Sequence, residues 1–326
     1  MQVLNTVLPL GSSLVSFVFA AVVFDQWRQR HRSFQLVWTV GLLFYGISAG
    51  TEFLGSAFGW NEPLYRVWYL VGALYVAAYL GAGTVYLLNR TRFGFFVASA
   101  LGLGGVVALL LVRKYPSSTS TADIVAAAAF LAATVIVGLT IWRRELVAPA
   151  TMAFLVAASG IVAFLVLTAQ VASPGYALDS VTRVPVGNAM PGYIRVLTGP
   201  FNVAGALSLV FGAIYSAYVY MPKKKVLPAR YSILAIVVNL IASLPRAFRA
   251  LLEGRLNSRV PATILIALGG FIPGVTSGLN RFGVTWSFFL GEFLGVVLIF
   301  AGFLVSEDVF AHARWTWARP PKPEVS

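Results

Sequence analysis

WSFFLGEFLGVVLIFAGFL, residues 286–304, suits a lipid environment at eighteen of its nineteen positions, and the exception is the carboxylic acid Glu292. A helix needs about 20 apolar residues to cross the hydrocarbon core of a bilayer. The stretch therefore reads as a membrane span that carries an acid part-way across. The whole chain agrees with it. Of 326 residues, 59% are hydrophobic and 11% charged, and the mean hydropathy is +0.82; a soluble domain carries about 25% charged residues. This is the composition of an integral membrane protein with little soluble mass.

Working outward, apolar runs at 3–24, 34–56, 64–88, 93–112, 122–142, 147–172 and 195–220 supply seven earlier spans. The opening MQVLNTVLPL has no basic residue, whereas Arg28, Arg30 and Arg32 follow the first span directly. Basic residues collect on the cytoplasmic side of membrane proteins, so the N-terminus is expected outside, with span one an anchor rather than a cleaved signal. Segment 231–244 (YSILAIVVNLIASL) has 14 residues, too few for an ordinary span. In the following PRAFRALLEGRLNSRV, Phe248, Leu251, Leu252 and Leu256 share a helical face, and Arg246, Arg249, Glu253 and Arg255 occupy much of the rest. A basic amphipathic helix of this kind lies in the membrane interface.

Residues 231–260 are thus expected to be interfacial or re-entrant, and 261–279 and 284–305 to cross the membrane. That threading leaves 18 of the 24 Lys and Arg residues on the cytoplasmic side. The expected class is an all-α, polytopic membrane helix bundle of about nine spans, seven plus two, in a plasma membrane of bacterial type. Its parts would be a seven-helix bundle (1–220), a cytoplasmic basic linker with the interfacial helix (221–260), two further spans (261–305) and a cytoplasmic C-terminal tail (306–326). The sequon-like Asn89-Arg90-Thr91 falls on the cytoplasmic side and is expected to carry no glycan.

Several function classes drop out. The formal charge of +13 is accounted for by orientation-setting loops, so nucleic acid is not expected as a partner. Cysteine is absent, which removes disulfides, thiolate metal sites and cysteine nucleophiles. The two histidines, His31 and His312, lie beside arginines outside the apolar runs, which argues against a bis-histidine haem. None of the five lysines falls within a span, which argues against a retinal Schiff base. No Ser–His–Asp or two-metal constellation is in evidence. The expectation is a non-enzyme without cofactor or metal, whose partners are the lipid bilayer, a small-molecule ligand, and a membrane protein or a second copy of the chain.

Spans one to three and five to seven resemble weak copies joined by span four, a three-plus-one-plus-three plan. Span three opens with Tyr65-Arg66-Val67 and span seven with Ile194-Arg195-Val196, and each then carries Gly-Ala-Leu, at 72–74 and 205–207. Helices of similar composition also produce such a likeness. The chain has 30 glycines, many within spans, where small residues let backbones approach closely. The outer loop 173–193 could cover a cavity or act as a plain connector.

Charges at membrane depth mark the candidate sites, because an ionised side chain there costs about 2.5–3.5 kcal/mol unless paired or hydrated. At 1.5 Å per residue, Glu52 lies about 6 Å and Glu292 roughly 12 Å below the outer surface. Arg66 and Arg195 open their spans at that surface. Arg66 is placed to pair with Glu52 across the loop 57–63, and Arg195 to reach lipid headgroups. Asp123 suits the N-terminus of span five. Glu292 borders a small-residue face of Gly291, Gly295 and Gly302, so it should point into the bundle, protonated and hydrogen-bonded or paired with an arginine of another span. It is a proton-site candidate, or a structural hydrogen-bond donor.

Proline removes a backbone donor. A kinked or unwound segment is therefore expected at Ile272–Ser277, around Pro273 and Gly274, and a comparable break at Thr198–Asn202, around Pro200. Broken helices near an intramembrane charge point to a binding site. Trp68, Tyr75, Tyr79 and Tyr86 form a one-sided aromatic stripe, either packing between helices or lining a ligand.

Trp38, Glu52 and Arg66-Val-Trp-Tyr69 give the stretch 38–88 a resemblance to the seven-helix membrane region that precedes some bacterial histidine kinases. Here no histidine box, nucleotide-binding domain or output module follows. What the resemblance implies is a membrane sensor region standing alone. Two functions result. A small-solute or proton-coupled transport-like bundle would show a cavity lined by Glu292, Tyr75, Tyr79 and Asn202. A stand-alone sensor or accessory subunit of a membrane complex would show a packed bundle and a docking face such as the 246–256 helix.

Overall fold

The computed structural model describes residues 2–89, 91–228, 232–253, 256–257, 259–281 and 283–305. Its helices are α1 (Gln2–Arg30), α2 (Ser33–Phe58), α3 (Glu62–Leu70), α4 (Val76–Leu87), α5 (Gly94–Leu111), α6 (Thr119–Trp142), α7 (Val147–Thr168), α8 (Gly192–Tyr220), α9 (Ser232–Leu252), α10 (Arg259–Arg281) and α11 (Phe288–Val305). A π-helical turn, Val71–Tyr75, joins α3 to α4 within one span. Among the described residues there is no β-strand, only an isolated bridge between Leu178 and Pro185. Arg90, Arg230, Arg255 and the expected tail 306–326 lie outside the described residues.

Among the described residues, nine helical stretches are long and apolar enough to cross a membrane, and they coincide with the nine runs read from the sequence. The all-α polytopic class follows. α9 is not among the nine. It is a single helix that runs through Pro245, so the apolar segment 231–244 and the amphipathic segment after it join over 232–252. It exposes Ile241, Leu244, Phe248 and Leu252, an apolar stripe at helical spacing.

Local chemistry sets several helix ends. The Asn61 side chain accepts from the Leu64 N–H at 3.0 Å, with Pro63 in the first turn of α3. α2 stops at Gly59, whose φ of 98° closes the C-terminus with an N–H donated to Gly55 O.

The chain folds into two compact units. One comprises Met1–Gly212 and Gly269–Val297, the other Ala213–Leu268 and Leu298–Ser326. The first unit is a helix bundle whose core includes Tyr65, Trp68, Tyr69, Leu74, Val166 and Ile194. Its tightest crossings are made by glycine. A Cβ on Gly81 would strike the backbone of Gly205, and one on Gly205 the backbone of Ala77, so α4 and α8 touch main chain to main chain. Gly104 of α5 meets Pro200 and Gly199 of α8 in the same way. The small-residue face expected on α11 packs on α10: Gly291 meets Thr276, and Gly295 meets Pro273 and Gly269. In the second unit the amide of Asn239 accepts from Val226 and Leu227 N–H and donates to Leu227 O, strapping 221–228 to α9.

The helices are not unwound at Pro200 and Pro273. Both α8 and α10 continue in helical geometry through their prolines. Pro200 lies in a close backbone crossing with α5, and Pro273 lies against Gly295. The irregular turn sits instead in the third span, at 71–75. The two Gly-Ala-Leu triplets occupy different local structure, Gly72 lying in the π-turn and Gly205 inside α8.

Candidate functional site: a buried carboxyl pair and a polar cleft

α2 carries Glu52 into the first unit, where its side chain is fully buried. The Trp68 indole of α3 donates to Glu52 Oε1 at 2.7 Å. Glu52 Oε2 is sealed from solvent and has no donor among the described groups. The carboxyl of Glu292, on α11, lies close enough to Glu52 for the two acids to interact electrostatically. One turn-pair earlier on α2, the Tyr45 hydroxyl donates to the Glu292 backbone carbonyl at 2.7 Å. Tyr45 precedes Glu52 by seven residues, a spacing that puts both on one helix face, so it was legible in the sequence but carried no distinguishing chemistry. Three helices thus converge on two acids. α1 completes the wall through Gly11, which packs on the ring of Phe293. Close by, Ser13 donates to Gly46 O at 2.9 Å.

Arg66 does not join this group. It pairs with Glu62 one turn earlier on α3, and it donates to the carbonyls of Val166, Leu167 and Ala169. Those carbonyls are at the C-terminus of α7, where helical acceptors lack intrahelical donors. Arg66 is therefore a cap joining α3 to α7, and a nearer acid, Glu62, takes the place expected for Glu52.

Tyr75 and Tyr79 converge on α7. Tyr75 donates to Ser159 O at 2.7 Å, Tyr79 approaches Ser159 Oγ at 3.3 Å, and the ring of Phe44 packs on both. Asn202 donates to Ala73 O at 2.6 Å. That carbonyl belongs to the π-turn, where the α-helical hydrogen-bond ladder is interrupted, so Asn202 stabilises the turn from α8. The polar groups of all three residues are directed to protein partners.

The loop 169–191 is folded. Asp179 Oδ1 accepts from the N–H groups of Val181 and Thr182 and from the Thr182 hydroxyl, an Asx-type turn. The Thr182 N–H, the largest influence, holds the Asp179 carboxyl below its ordinary value. The Thr182 hydroxyl also meets the Thr285 hydroxyl at 2.6 Å, and Thr182 O accepts from Asn5. Under the loop is a cleft of about 620 Å³, with Lys114, Asp179, Asn188, Arg195, Asn280 and Thr285 on its wall. Arg195 lies 4.7 Å above the ring of Tyr115 and donates to Asn188 Oδ1 at 2.8 Å. Apart from Arg195, no residue of this cleft stood out in the sequence, since single polar residues scattered over three loops make no pattern along the chain.

No protein-family model, curated protein or solved structure matches the chain. The site is read from its geometry.

Among the described residues no group of three or more His, Cys, Asp or Glu side chains could hold a metal ion. The chemistry available at Glu52 and Glu292 is proton exchange. Two carboxyls attract each other only when one of them carries a proton to donate, and two carboxylates at contact repel.

Proposed function

We propose that this chain is a proton-coupled, transport-like membrane bundle in which Glu52 and Glu292 form the proton site. The observation that carries the reading is the pair of acids itself, brought from two distant spans close enough to interact within a membrane helix bundle. A single carboxylate at depth is costly, and a second one beside it is more so. A proton shared between the two converts repulsion into a hydrogen bond, and its departure reverses this. The unspent Oε2 of Glu52 is the atom that can accept that bond. Trp68 orients the Glu52 carboxyl from α3, and Tyr45 holds the Glu292 backbone from α2, without adding charge. The reading involves no bond-making chemistry and no cofactor. It places the protein in a plasma membrane with its N-terminus outside, in keeping with the bias of basic residues.

The test is proton movement into sealed proteoliposomes containing the full chain and a pH-sensitive dye, driven by a solute gradient. The wild type is expected to take up protons in response to at least one small solute.

A second reading, a stand-alone sensor or accessory subunit, is favoured by one specific observation. Tyr75, Tyr79 and Asn202 give their polar groups to protein partners rather than to a cavity shared with Glu292. On that reading the chain runs in native gels of undisrupted membranes as part of a larger complex, and reconstituted alone it moves no protons.

A further inference from the structure

We propose that the cleft under the 169–191 loop is a binding site for a phosphate group, recognised by Arg195 and Lys114. Its volume of about 620 Å³ falls within the roughly 300–1,000 Å³ of small-molecule sites. Both cations are on its wall. Arg195 is pre-positioned, its Cζ lying over the ring of Tyr115 and one Nη1 bond fixed to Asn188. Neither contact is with an acid, so the guanidinium is oriented while its charge stays uncompensated. No described carboxylate pairs with Arg195 or Lys114; the described ion pair is Arg66 with Glu62.

The acid on the wall, Asp179, is committed elsewhere. Its Oδ1 already accepts three hydrogen bonds from the loop's own donors, so it builds the loop rather than competing for the cations. Two cations against one committed carboxylate leave the cleft net positive. A phosphate monoester carries about −1.5 to −2 at neutral pH and matches two cations better than the single charge of a carboxylate. The planar guanidinium suits two phosphate oxygens at once, and a lysine adds a point charge. Ser180, Asn188 and Asn280 supply neutral polar groups around the same space. The phosphate monoester could belong to a free solute or to a phosphatidic acid headgroup, since the cleft includes the ends of membrane-length helices. The site is independent of the Glu52–Glu292 pair and stands or falls apart from it.

The experiment uses the full chain in phospholipid-free detergent for one arm, with radiolabelled inorganic phosphate as probe. The other arm counts retained phosphatidic acid, whose headgroup is a phosphate monoester, by native mass spectrometry. Saturable binding is expected in at least one arm, weakened at least tenfold in both R195Q and K114Q and unchanged in R92Q, an exposed arginine of the α4–α5 connection. Binding in the first arm identifies a free phosphate, and binding only in the second a headgroup. Lys114 is exposed, so K114Q reports on the site even if R195Q fails to fold. No saturable binding in either arm overturns the proposal, and so does K114Q binding as tightly as the wild type.

Discussion

At the residue scale, polar side chains near the membrane are either spent on a neighbour or left with a function, and hydrogen bonding decides which. Arg66 is spent on Glu62 and the end of α7, and Asp179 on its own loop. Glu52 keeps one oxygen without a donor. Asp179 carries a pH dependence whose sign follows from its lowered carboxyl. A group with a depressed folded-state value contributes stability above its unfolded value, about 3.9 for aspartate, and loses it as pH falls through the folded value. The 178–185 loop is therefore expected to stay ordered through neutral pH and to loosen only below about pH 4. Hydrogen exchange at Val181 and Thr182, corrected for intrinsic rates, should show protection lost on acidification in the wild type and already lost at neutral pH in D179A. Equal protection in D179A at neutral pH would contradict this.

Arg66 and Glu52 also show what the sequence could and could not convey at this scale. That each sat at depth was legible from span boundaries. Which acid the arginine chose depended on Glu62 lying one helical turn away, and the partner of Glu292 was on a helix 240 residues earlier. Contact over that distance has no local signature.

At the scale of elements, hydrophobic runs located the nine membrane-length helices of the described residues, because the bilayer fixes helix length and leaves little freedom. The irregularities were less legible. Prolines suggested kinks or unwinding in α8 and α10, yet both are helical throughout. The actual departure, the π-turn at 71–75, contains no proline and is supported from another helix by Asn202. Glycine, in contrast, meant what its frequency suggested. The α4–α8 crossing has no room for a side chain at Gly205, so G205V should destabilise the folded chain by about 1–3 kcal/mol, the usual cost of overpacking. Gly138 has nothing within 4 Å of its Cβ direction, and G138V should leave stability unchanged. Thermal unfolding in detergent distinguishes them, and equal midpoints for the two variants would contradict the crossing.

At the scale of the molecule, the described residues hold nine membrane-length helices with the amphipathic α9 between the seventh and eighth, and the proposed threading predicts successive loops on alternating faces. The absence of cysteine makes this directly measurable by single-cysteine labelling. With a membrane-impermeant maleimide, S180C is expected to label in intact cells and K224C only after the membrane is opened. The reverse pattern would invert the orientation, and labelling of both in intact cells would break the alternation between them.

The most direct measurement concerns the carboxyl pair. Proteoliposomes of the wild type, E52Q and E292Q are compared for solute-driven proton uptake at equal protein content. The proton site predicts uptake in the wild type and at least a tenfold loss in each variant, with thermal unfolding of all three unchanged enough to show folded protein. Uptake in E52Q and E292Q equal to wild type, or none in the wild type above empty liposomes with any solute, would contradict it.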